Sequence, residues 1–265
     1  MKLFFRKLGQ GQPMIILHGL FGQSDNWQTL GKQFAEHGST SVTTGYEVYL
    51  VDMRNHGHSP HSDQWNYNVM SNDLLELIND NILKKVILIG HSMGGKAAMQ
   101  FALDHPEKLS KLIVADMAPK YYPPHHDKII EGLKSVDFDV VKTRKEAEEQ
   151  LSKYINDFGT KQFLLKNLYW KEDDKLAWRF NLEVISKNIE AVGETFNHDD
   201  KQCILPALFL RGGKSKYILD SDKGKIKRMF PRYQLRTIEN AGHWLHADQP
   251  AAFFKQVIDF LQTKT

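Results

Sequence analysis

Short apolar runs separated by longer stretches of helical period dominate the first half of the chain. Residues 14–17, 48–51, 86–89 and 112–115 are four such runs, rich in Ile, Val and Leu. Continuous apolar runs of this length suit strands covered on both faces, as in a parallel sheet. Between the second and third run, residues 68–82 carry apolar side chains at 70, 74, 77, 78 and 82, the spacing of an amphipathic helix. Strands alternating with helices predict right-handed βαβ units and an open, mostly parallel, doubly wound sheet.

The pattern changes at Pro119. From there to Lys201 no strand is predicted. Thr143, Arg144, Lys145 and Glu146 form a capping-box pattern that opens a charged helix running through Tyr154. Residues 163–170 and 176–192 also read as helical, the latter carrying Trp178, Phe180, Leu182, Ile185 and Ile189. Strand patterns resume at 207–210 and 234–238, and residues 250–261 close the chain as an amphipathic helix. The expected organisation is therefore an α/β core of residues 1–118 and 202–265, with a helical cap of residues 119–201 inserted in it. Such a cap would lie over the carboxyl edge of the sheet, where open α/β folds bind ligands. Its aromatic side chains Tyr121, Trp170 and Trp178 are the candidates for lining a pocket there.

Composition narrows the partners. The 265 residues hold 35 Lys and Arg against 32 Asp and Glu, a net charge of +3. That balance is too even to predict nucleic-acid or membrane-surface binding. The most basic stretch, residues 223–228, is expected to be a solvated helix face. A single cysteine, Cys203, excludes an intramolecular disulfide and fits a reducing compartment. The apolar run of Leu3 to Phe5 is too short for a signal-peptide core, and no window approaches the ~18 apolar residues that span a bilayer. A cytoplasmic location is the expectation.

Three local patterns carry chemistry. Gly90-His91-Ser92-Met93-Gly94 follows a predicted strand and leads into a helical pattern, the context of a nucleophile elbow. A turn that tight needs small neighbours, which the glycines at 90, 94 and 95 supply. It would raise the Ser92 hydroxyl above the sheet and leave the Met93 amide at a helix N-terminus, where an oxyanion is favoured. His18-Gly19-Leu20-Phe21-Gly22 ends the first apolar run and can aim a second amide at the same point, Leu20 first and Phe21 second. His18 itself is expected to be a buried, hydrogen-bonded structural histidine. Ala241-Gly242-His243-Trp244 supplies a base, since a serine hydroxyl attacks poorly unless a neighbour takes its proton and imidazole titrates near neutrality. His246 is the nearest rival but lacks the preceding glycine, and His125 and His126 sit in a Pro-rich loop of the cap. No metal-ligand spacing, Walker pattern or dinucleotide-binding fingerprint is present.

These stretches, together with VDMRNHGHSP, VADMAP, WRFNLEVI and AGHWLHADQP, resemble the α/β-hydrolase superfamily over nearly the whole chain, and within it the bacterial YbfF-type esterases. The resemblance implies hydrolysis of carboxylic esters or thioesters with short to medium acyl chains, without cofactor or metal. In most of the superfamily the acid of the triad follows the strand that here is 207–210, where Ser215 now stands. In the YbfF-like branch it follows the preceding strand, which implies Asp116. A carboxylate there would sit beside the strand that carries Ser92, by the βαβ rule. Asp220 and Asp222 are the fallbacks.

Two other functions fit the same scaffold. A cofactor-free lyase or C–C bond hydrolase would need a buried cationic clamp for a substrate carboxylate, with Arg54, Lys96 and Arg179 as candidates. A non-catalytic binding protein would show a broken triad. An aspartate nucleophile, as in dehalogenases and epoxide hydrolases, is excluded by Ser92 in the elbow.

Overall fold

A computed structural model describes residues 1–37, 45–173, 175–196 and 201–263. The chain opens with β1 (Phe5–Leu8), β2 (Gly11–Leu17), α1 (Gln28–Glu36), β3 (Gly45–Val51), α2 (Tyr67–Asp80), β4 (Val86–His91), α3 (Met93–Asp104) and β5 (Leu109–Ala115). It continues through α4 (Asp127–Ser135), α5 (Arg144–Leu151), α6 (Phe158–Leu165), β6 (Leu168–Glu172), β7 (Lys175–Trp178), α7 (Leu182–Lys187) and α8 (Glu190–Gly193). It closes with β8 (Ala207–Gly212), α9 (Lys223–Met229), β9 (Tyr233–Ile238), α10 (Leu245–Asp248) and α11 (Pro250–Gln262).

Seven strands form one sheet in the order β1-β3-β2-β4-β5-β8-β9. Only β1 runs antiparallel, on β3 at one edge. The other neighbours are parallel. Side chains alternate between two cores, as the pleat requires. Met14, Ile16, Ile87 and Ile89 pack with Phe34 of α1 and Phe253 and Val257 of α11 on one face. Ile15, Leu17, Val86 and Leu88 pack with Leu74 of α2 and Phe101 of α3 on the other. The order reverses at β2, because the chain lays β3 on one side of it and β4 on the other. The loops after β2 and β4 therefore flank the switch point of the sheet, where a crevice opens at the carboxyl edge.

The six predicted strands of the sheet and the helix at 68–82 are all present, while β1 had no counterpart in the sequence reading. In the segment between β5 and β8 the expectation of a helical insert without strands is corrected. Here β6 and β7 pair antiparallel as a hairpin, with Leu168 opposite Trp178 and Trp170 opposite Leu176. Helical spacing among the later apolar positions masked the period of two at its start. Trp178 and Phe180, two residues apart, stack at 5.5 Å and 9°, a contact between i and i+2 that a helix does not allow. The capping box at Thr143 is present, with Thr143 Oγ1 accepting from the Glu146 amide at 3.2 Å. Residues 174 and 197–200 of the expected insert lie outside the described residues. Among the described residues no helix is long and apolar enough to cross a membrane.

Candidate active site

Ser92 sits between β4 and α3 with φ 53° and ψ −117°. A non-glycine residue in that region is strained by about 1–3 kcal/mol and persists only where its surroundings impose it. Here they do. A Cβ at position 90 would meet Gly94 O at 2.2 Å, and one at position 94 would meet His18 O at 2.5 Å, so glycine alone fits at both. The Ser92 amide is held by Ala115 O at 3.2 Å, at the end of the neighbouring strand.

His243, in the loop between β9 and α10, places Nε2 2.9 Å from Ser92 Oγ. Its Nδ1 lies 2.8 Å from Asp116 Oδ2. A carboxylate only accepts, so Nδ1 carries the proton and Nε2 is free to accept from the serine. Asp116 follows β5 with φ 50° and is fully buried. Beyond the end of β5 its amide still pairs with Leu210 O at 2.7 Å, which fixes it beside β8. Its other acceptor positions are filled by the Gly212 amide at 3.1 Å and by the Ser215 hydroxyl. The serine at the usual position of the acid thus serves the carboxylate that stands one strand earlier.

The other acids and the rival histidine lie elsewhere. Asp220 is 71% exposed and pairs with Arg211 and Lys223. Asp222 pairs with Lys120 at 2.6 Å. His246 is buried and stacks on Trp27 at 4.1 Å, and burial holds its pKa down at about 3. Two further groups brace His243. The Tyr217 ring lies flat on its imidazole at 3.7 Å and 14°. His91 Nε2 donates to the His243 carbonyl at 2.8 Å.

His18 is the structural histidine expected. Its Nδ1 donates to Gly19 O at 2.8 Å and its Nε2 accepts from the Met53 amide at 2.9 Å. Burial lowers its pKa to about 4, so it stays neutral. The loop after β2 closes as a four-residue turn, Gly22 N–H to Gly19 O at 2.9 Å. Of its two candidate amides, Phe21 is corrected: its N–H is committed to His56 Nε2 at 3.2 Å. The acceptor comes from the loop after β3, and no local pattern could have shown it. Among the described residues neither the Leu20 amide nor the Met93 amide at the start of α3 has a protein partner, which leaves both able to meet an anionic oxygen.

A cavity of about 430 Å³ opens on Ser92 and His243. Its apolar wall includes Leu20, Ile129, Phe163, Leu164 and Trp244. The three aromatics expected there are placed otherwise. Trp178 is buried among Leu133, Phe138 and Phe180. Trp170 is 58% exposed on the hairpin, and Tyr121 is exposed as well. The orientation of Trp170 and Trp178 depends on the hairpin, whereas Trp244 adjoins His243 in the sequence and could have been singled out on that ground. The three clamp candidates are also engaged away from the cavity. Arg54 grips buried Asp73 at 2.6 and 2.9 Å. Lys96, buried on α3, donates to the carbonyls of Gly193 and Glu194, and burial lowers its pKa to about 7. Arg179 lies over the Tyr169 ring at 4.4 Å.

A serine in a strained strand–helix turn, with an imidazole and a buried carboxylate in line behind it on a mostly parallel sheet, defines the class of alpha/beta hydrolases. A profile of the family described as alpha/beta hydrolase fold matches residues 12–146, and the chain belongs to that family. Within it, the solved structure of a marine microorganism esterase is 47% identical, with a TM-score of 0.92, covering 98% of this chain and 99% of that one. The sn-1-specific diacylglycerol lipase ABHD11 of Danio rerio is 38% identical over 260 residues, 96% of this chain and 80% of that protein. Esterase YbfF of Escherichia coli K12 is 32% identical over 255 residues, 94% and 92% of the two chains. The resemblance read from the motifs holds for the superfamily and for the YbfF-type branch.

Proposed function

We propose that this chain hydrolyses carboxylic esters or thioesters of short to medium acyl chains through an acyl-serine intermediate. The observation that carries the reading is the hydrogen-bonded line from Ser92 Oγ through His243 to Asp116, open to an apolar cavity. His243 Nε2 takes the hydroxyl proton as Ser92 Oγ attacks the substrate carbonyl. The resulting oxyanion is met by the Leu20 and Met93 amides, a stabilisation worth about 10²–10³ in rate per donor. Collapse expels the alcohol or thiol, which receives its proton from His243. Water then repeats the cycle on the acyl-serine and releases the acid. No cofactor or metal enters these steps.

The relatives support an ester as the substrate class, since the three described above are named as esterases or a diacylglycerol lipase. The cavity volume is in the range of small-molecule sites, roughly 300–1,000 Å³. We read residues 119–201 as a cap on the core of residues 1–118 and 202–265, because Ile129, Phe163 and Leu164 of this segment wall the cavity. No observation favours a lyase or C–C hydrolase, whose three clamp candidates Arg54, Lys96 and Arg179 are engaged away from the cavity, or a binding module, whose triad would be broken.

The reading is tested by labelling with a fluorophosphonate. The intact mass should rise by one adduct, Ser92→Ala should abolish both the adduct and ester turnover, and His243→Ala should lower kcat by about 10³ or more. Labelling that survives Ser92→Ala would sink it.

A further inference from the structure

Phe21 occupies the left-handed region, at φ 57°, as the third residue of the Gly19–Gly22 turn. A bulky residue does not hold that conformation unaided. Rotation of the peptides on either side of Phe21 would carry Leu20 with it, and Leu20 supplies one of the two unpartnered amides. What holds Phe21 therefore determines where that amide points.

Three side chains hold it. His56 Nδ1 donates to Arg54 O at 2.9 Å, which leaves its Nε2 bare to accept from the Phe21 amide. Asn167 Nδ2 donates to the Phe21 carbonyl at 2.8 Å. The Phe180 ring packs on the Phe21 ring at 5.0 Å. Asn167 and Phe180 both belong to the segment between β5 and β8, not to the sheet. Asn167 is 1% exposed, and its Nδ2 also meets Leu164 O at 3.1 Å. Two carbonyl oxygens converge on one end of the amide, so only the NH₂ end can face them. The backbone carbonyl of Asn167 accepts from the Arg179 amide at 2.9 Å, which ties the residue to the end of the hairpin, while its side-chain Oδ1 is buried with no partner among the described residues.

We infer that Asn167 is a positioning residue for the oxyanion hole: through Phe21, the inserted segment aims the Leu20 amide at the transition state. This rests on the esterase reading of Ser92 given above. The segment would then contribute to the chemical step, in addition to walling the cavity.

Two variants test it. Asn167→Asp keeps the shape but turns an acceptor toward two carbonyl oxygens. Asn167→Leu keeps the volume and removes the donor. Each is compared with the wild type for kcat and KM on a short-chain ester. Each is also compared for affinity toward two inhibitors of the same chain length: a trifluoromethyl ketone, whose hemiketal on Ser92 places an oxyanion in the hole, and the carbinol that lacks the carbonyl. Complete loss of one donor costs about 10²–10³; a misaimed Leu20 amide is expected to cost about 10–10² in kcat. KM should change little, trifluoromethyl ketone affinity should fall in parallel with kcat/KM, and carbinol affinity should hold. Phe180→Leu, which leaves both hydrogen bonds, should show the same pattern more weakly and serves if neither Asn167 variant folds. Unchanged kcat with a raised KM, or equal loss of both inhibitors, overturns the inference. Turnover that survives Ser92→Ala sinks the esterase reading itself, whereas a normal wild type with unaffected variants sinks only the role of Asn167.

Discussion

Asp116→Asn is the substitution that most directly probes the proposed triad, and the structure states what it does to each proton. In the wild type Asp116 Oδ1 accepts from the Gly212 amide at 3.1 Å, while Oδ2 accepts from Ser215 and from His243 Nδ1 at 2.8 Å. An asparagine is expected to keep its carbonyl toward Gly212, because that buried backbone N–H donates to this oxygen and leaving it unmet costs about 1–3 kcal/mol. The NH₂ end then faces Ser215 and His243. The Ser215 hydroxyl can rotate and accept. His243 can accept only by moving its proton from Nδ1 to Nε2, the nitrogen 2.9 Å from Ser92 Oγ. The base then already carries the proton it should remove. The expected loss is about 10⁴ in kcat, or about 5.5 kcal/mol at ~1.36 kcal/mol per decade, with folding retained. Initial rates on a chromogenic short-chain ester measure it, at enzyme concentrations fixed by active mass and with melting temperatures compared. Asp220→Asn is the control and should cost less than about twofold, since an exposed ion pair contributes little. A variant at 116 that retains activity within about tenfold of wild type, or a larger loss at Asp220 or Asp222, refutes the tautomer argument.

Two further outcomes are expected. Because the cavity wall is apolar, kcat/KM should climb about fourfold per methylene of the acyl chain, from ~0.8 kcal/mol each, until the space is filled; a flat series from acetyl to octanoyl contradicts an enclosed acyl site. Among the described residues, five imidazoles bear on the acid limit of stability: burial lowers His18 and the half-buried His126 to about 4, His56 and His246 to about 3, and His91 well below the 6.5 of an unburied histidine. Between those values the unfolded chain holds more protons, so stability present above pH 6.5 is lost as pH falls toward the folded values. The melting temperature should drop steeply over that window, and His246→Phe, which keeps a ring on Trp27, should make the drop shallower. A melting temperature flat from pH 7 to about 4.5 would show that these imidazoles are not held neutral.

The sheet was legible because burial on both faces writes a strand as an unbroken apolar run, and the five runs at 14–17, 48–51, 86–89, 112–115 and 207–210 are all strands, as is the mixed edge segment read at 234–238. β1 was not, since an edge strand of four residues with Arg6 and Lys7 carries no such run. The hairpin of β6 and β7 was misread because its buried positions merge with the helical spacing that begins at Leu182. Ser92 and His243 were singled out from glycines that a tight turn demands, and Asp116 from the branch the motifs resemble, and the structure brings the three side chains together. The roles of Phe21, His56, Asn167 and Tyr217 were not, because each depends on a partner more than 30 residues away in the chain or on a ring stacked across the site.

The acid and the nucleophile of the proposed triad both precede the segment between β5 and β8, on neighbouring strands, while the proposed base follows it, 151 residues beyond Ser92. At about 5–20 residues per second, a ribosome finishes the elbow roughly 8–30 s before it delivers His243. Through that interval β2 to β5 can pair and expose a complete serine turn to the surrounding metabolites. If His243 is the base proposed for Ser92, the hydroxyl stays a poor nucleophile until that residue arrives, and a prematurely released chain is expected to be inactive. In the proposed mechanism, placing the histidine after the cap segment makes reactivity conditional on translation beyond that segment.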